Sequence, residues 1–79
     1  MTADGIRDFL HAVPFVPFLI HLPDRPAVRV EHPDFVALSR SGRTMVVYKE
    51  NSDGFSEIDV ALITELEKKP RKITRKRSR

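Results

Sequence analysis

Proline sets the scale of every element this chain can build. Five of its six prolines stand at positions 14, 17, 23, 26 and 33. A proline fixes its own φ, gives no N–H, and pushes the preceding residue out of the α region. Further on, SRSGR (39–43) and NSDG (51–54) add two breaks rich in turn formers. Only short elements fit between these breaks, and tight turns must join them.

The first element precedes the prolines. Ile6, Phe9, Leu10 and Val13 follow the i, i+3, i+4, i+7 pattern of one buried helical stripe. Thr2 is placed to cap it, and Asp4 sits near the positive end of its dipole. Pro14 closes it, so the spacing predicts a helix over about 3–12.

VPFVPFLIHL (13–22) comes next. Its prolines are three apart, as are Phe15 and Phe18, which matches the threefold turn of polyproline II. Pro14-x-x-Pro17 is also the minimal pattern of a proline-rich ligand. Phenylalanines interleaved at this density belong inside, so the segment reads as packing between helix and sheet.

From position 18 the period becomes two. Phe18, Ile20 and Leu22 oppose Leu19 and His21; Val28 and Val30 oppose Arg29 and Glu31. PDRP (23–26) is the turn between these strands, and Pro33-Asp34 suits a tight or 3₁₀ turn. Phe35 to Ser39 and TMVVYKE (44–50) are further strands, with Gly42 available for a positive φ between them. FSEIDVALITELEKK (55–69) is ambiguous. A helix capped by Asp59 would gather Leu62, Ile63 and Leu66; the alternative is a strand, one turn near Ala61, and a last strand at 63–67. The second is preferred.

The expected fold class is α+β and β-rich. One N-terminal helix is followed by four or five short antiparallel strands, forming a bent sheet or a small SH3-like barrel. Residues 1–67 are expected to form a single small globular domain. A chain of 79 residues buries only roughly 60% of its unfolded surface, so its stability margin is thin.

Charge divides the chain sharply. Residues 68–79, KKPRKITRKRSR, hold eight Lys or Arg and no acid. Residues 1–67 hold the other six cations against eleven acids, a formal −5 under a net charge of +3. A segment this basic cannot bury a core, so 68–79 is expected to be a disordered tail. Lys68, Lys69, Arg71, Lys72, Arg75, Lys76, Arg77 and Arg79 are its candidate nucleic-acid-binding residues, acting through phosphate neutralisation. The tail has no aromatic residue for base stacking, so the binding is expected to lack sequence specificity.

The succession PFVPFLIHLPD, VRVEHPDFVALSRSGRTMVVY and IDVALITELE resembles a small bacterial family with no assigned activity. Its pattern runs from a helix through Pro-Phe-x-Pro-Phe and a strand. His-Pro-(Asp/Glu)-Phe, Ser-Gly-Arg-Thr and a closing Ile-Asp-x-x-Leu-(Ile/Val)-Thr follow. The resemblance covers about 6–67. Members usually carry a glycine in the first hairpin, where this chain has Asp24-Arg25-Pro26. The basic tail lies outside the family pattern. The resemblance implies no mechanism. The order of a helix and then small-barrel strands is also similar to Sm-like RNA chaperones, by element order alone.

Other chemistries find little footing. There is no cysteine, hence no disulfide or thiolate site, and this fits a cytoplasmic location. His11, His21 and His32 have no metal-motif spacing, though Glu31 or Asp34 lies near enough in sequence to assist. Ser39, Ser41, Ser52 and Ser56 lie in or beside turns, none in a nucleophile elbow, and no glycine-rich loop cradles phosphate. Arg40 and Arg43 bracket Gly42 at a hairpin tip and read as solvated turn residues. No apolar run nears the ~20 residues of a membrane span, and MTADGIRDFL lacks the basic start of a signal peptide. The expectation is a non-enzymatic module without metal or cofactor. Its partner is nucleic acid or a ribonucleoprotein through the tail. The alternative is a protein partner, or self-association, through the acidic body, with the tail incidental.

Overall fold

Alternation at Phe18, Ile20 and Leu22 predicts a strand with one buried face, and that strand organises the molecule. The computed structural model describes residues 1–70. Strand β1 (Phe18–Leu22) buries those three side chains and holds the middle of a three-stranded antiparallel sheet. On one side it pairs with β2 (Arg25–Val30), setting Phe18 opposite Val30 and Ile20 opposite Val28. On the other it pairs with β6 (Glu65–Lys68), setting Ile20 opposite Leu66. The second sheet has the order β3 (Val36–Leu38), β4 (Thr44–Tyr48), β5 (Phe55–Asp59). Helix α1 (Ala3–Leu10) precedes both sheets and buries Ile6.

The described residues therefore form a small, α+β, β-rich fold, with one α-helix and six strands in two antiparallel sheets. The sequence predicts four or five strands. The turn expected at Pro33-Asp34 forms as a 3₁₀ turn over Pro33–Phe35, between β2 and β3. The expected alternative of a closed barrel is not formed by the described residues. Pairing stops at that turn, and β5 reaches β6 through a second 3₁₀ turn, Val60–Leu62, without pairing to it.

The ambiguous segment resolves as strand, turn, strand. Asp59 Oδ1 accepts from the Ala61 N–H at 3.0 Å, capping the turn after β5. Thr64 then fastens the chain back to β1. Its backbone N–H and its hydroxyl both donate to the His21 carbonyl, at 2.9 and 3.1 Å.

The core joins α1 to both sheets: Ile6, Phe18, Ile20, Leu22, Val30, Met45, Val47, Ile58, Val60 and Ile63 are buried together. Phe18 is wholly enclosed, with Phe9 and Phe15 set edge-on to it at 5.1 and 6.1 Å between centroids. That geometry suits the aromatic quadrupole. The Val-Pro-Phe repeat is thus packing, with both rings turned to the core. The polyproline reading does not describe its start, where the Val13–Pro14 bond is cis. The helical stripe also ends sooner than the spacing predicts. α1 stops at Leu10, Val13 is 95% exposed, and Thr2 makes no side-chain cap bond.

Candidate functional site

Among the described residues, a concavity lies where β2 meets the end of the β4–β5 hairpin. It is a groove of about 540 Å³. Alternation builds its walls. In β4 the buried residues are Met45 and Val47, so Tyr48 is turned outward at the strand's end. The NSDG turn then brings Phe55 directly opposite Tyr48. The two rings lie 5.8 Å apart and are 50% and 58% exposed. Tyr48 lines the groove, and Lys49 follows it on the same wall.

The facing wall is β2, an outer strand of its sheet, which contributes Arg25 and Arg29. Arg25 reaches across to the second sheet, its Nη1 donating to the Glu57 carbonyl at 3.4 Å; its Nε lies 3.6 Å from Asp24. Arg29 is held more firmly. Its Nε donates to Glu31 Oε2, and its Nη2 donates to the Lys69 carbonyl at 3.2 Å. Lys49 has no side-chain partner among the described residues. The charged lining is Arg25, Arg29 and Lys49 against Glu31 and Glu50.

The outer face of the first sheet carries a second polar group. His21 Nε2 lies 2.8 Å from Glu67 Oε1. That hydrogen bond holds the Glu67 carboxyl below its usual range, helped by the charges of Lys69 and His21 and opposed by partial desolvation.

The sequence-predicted tail residues divide at the end of β6. Lys68 lies in β6 itself, opposite Phe18, with its Nζ 5.9 Å from the Phe9 ring. Lys69 donates its N–H to the Pro17 carbonyl, and its Nζ is 3.8 Å from Glu67. Both lysines are therefore attached to the body. Arg71, Lys72, Arg75, Lys76, Arg77 and Arg79 lie outside the described residues.

His32 belongs to its turn: Nδ1 accepts from the Asp34 N–H, and the ring lies between Phe15 and Phe35. No metal-ligating group of three forms among the described residues, and no described helix is long and apolar enough to cross a membrane. Arg40 and Arg43 are exposed at their hairpin tip, as expected.

Sequence reasoning missed the groove. Tyr48 lies out of phase with Met45 and Val47, which marks it as outward-facing. Its partnership with Phe55 and its distance from Arg25 need the register and the sheet packing. Comparison with protein-family models, with curated proteins and with solved structures finds no match to this chain.

Proposed function

We propose that this protein is a non-enzymatic binding module whose basic C-terminal segment engages nucleic acid, free or within a ribonucleoprotein, without sequence specificity. One observation carries the reading: eight of the fourteen cations are gathered in residues 68–79, following residues 1–67 with a formal charge of −5. Such a segment releases condensed counterions from phosphates, and that release drives binding to any sequence. The body then serves as the carrier and as the contact for other proteins.

The test compares the full chain with a full-length variant in which Arg71, Lys72, Arg75, Lys76, Arg77 and Arg79 are all glutamine. Mobility shifts with generic RNA and DNA are run at low and physiological salt. The native chain is expected to lose about a thousandfold in affinity over that range, and the variant to bind weakly at both. If the native chain gives no shift at low salt, the reading is wrong.

A second reading draws on the outer face of the β3–β4–β5 sheet, where Tyr48 and Phe55 are exposed and Leu62 is 49% exposed nearby in sequence. Apolar side chains here favour a protein contact. Such a contact barely responds to salt, so the same titration separates the two readings.

A further inference from the structure

We propose that the groove between β2 and the β4–β5 hairpin end is a subsite for single-stranded nucleic acid, in which Tyr48 stacks a base while Lys49 and Arg25 meet the flanking phosphates. The proposal rests on the nucleic-acid reading above and adds a place on the body to it.

Four observations converge on this occupant. First, Tyr48 offers a half-exposed ring backed by Phe55 at 5.8 Å, a ready platform for a second ring. Stacking of this kind accepts any base, because every base has a π-face. Second, the volume of about 540 Å³ falls within the ~300–1,000 Å³ of small-ligand sites, enough for a base and its sugar. Third, the lining holds more cations than acids, and Lys49 has no side-chain partner among the described residues. Fourth, Lys69, near the end of the described residues, is held beside the groove. Arg29 lines the groove, and its Nη2 holds the Lys69 carbonyl at 3.2 Å.

The same charges argue against the chain's own tail as occupant, since it would bring further cations to a lining already positive. A duplex is disfavoured because its bases are stacked on one another, leaving no free face for Tyr48.

The protein carries its own probe. Tyr48 is the only tyrosine and there is no tryptophan, so intrinsic emission reports on this ring alone. The experiment titrates full-length protein with a uridine 15-mer and with a duplex of matched length. It follows tyrosine emission, corrected for nucleic-acid absorbance, and anisotropy of a labelled strand. Emission should be quenched by the single strand and far less by the duplex. Tyr48→Ala should weaken single-strand binding by about fivefold or more, and Tyr48→Phe should stay within about twofold of the native chain. Lys49→Gln should reduce the logarithmic salt slope by about 0.7. Circular dichroism of each variant checks the fold, which an exposed side chain should not disturb.

Each contrary outcome is separable. Binding with unchanged emission, and with Tyr48→Ala as tight as the native chain, overturns the groove and leaves the tail reading standing. No binding at low salt overturns both. If neutralising the tail changes Tyr48 emission with no nucleic acid present, the groove holds the chain's own tail and the proposal fails.

Discussion

Gly42 is the residue most tightly specified by its surroundings. Its φ is +76°, and a Cβ added there would stand 2.8 Å from the Ala3 Cβ. Two demands coincide: the 39–43 hairpin needs a left-handed residue, and its tip lies against the start of α1. Gly42→Ala should destabilise the protein by about 1–2 kcal/mol from backbone conformation alone, with the contact adding to it. Urea denaturation measures this, and an unchanged midpoint would show that the tip does not bear on the helix. Glu67 has a different role. Its carboxyl titrates below its ordinary value, chiefly through the His21 hydrogen bond. A depressed carboxylate pKa contributes stability that is complete above the unfolded value and is lost as pH falls through the folded one. Melting temperatures should therefore fall less between pH 6 and pH 3 in Glu67→Gln than in the native chain. Parallel curves would show that the His21 contact carries no weight.

At the scale of elements, Asp59 decides how sheet one is completed. By capping the Val60–Leu62 turn it lets β5 stop and β6 start, with Thr64 fastening the junction to β1. Asp59→Ala should cost about 1 kcal/mol, the usual worth of such a cap. Hydrogen exchange should show the loss first at the amides of 61–66; uniform loss through the molecule would assign Asp59 a different role. The strands were legible where alternation was clean: Phe18, Ile20 and Leu22 declared β1, and Val28 and Val30 declared the core side of β2. Val13 misled because its helical phase is correct and only the early end of α1 removes it from the core. The groove was illegible for another reason. Tyr48 and Phe55 are separated by a turn and Arg25 lies on another sheet, so their meeting depends on register and packing, which period alone does not encode. The last segment stayed open because its apolar residues suit both periods, and a cap and a two-donor junction settled it.

For the whole molecule the governing fact is a single core shared by one helix and two sheets. A chain of this length holds roughly 4–12 kcal/mol of net stability, and Phe→Ala in a core costs about 3–5 kcal/mol. Phe18→Ala also removes the ring against which Phe9 and Phe15 lie. The expected result is a chain largely unfolded at 37 °C, with both sheets lost in one transition by circular dichroism. A well-folded variant with a small shift would mean that the helix and sheets do not depend on this contact.

The position of β1 between β2 and β6 also sets an order of events in time. β1 and β2 meet across a two-residue turn, a local step. β1 and β6 meet only when distant stretches of chain converge: His21 and Glu67 lie 46 positions apart. Pairings of such separation bear a larger closure entropy and form late. Until β6 arrives, the backbone groups of β1 that pair with it stand open on that flank. The newly made chain thus passes through an interval in which its most apolar strand is available to neighbours, and how quickly β6 closes that flank governs how much protein reaches the native state rather than aggregating.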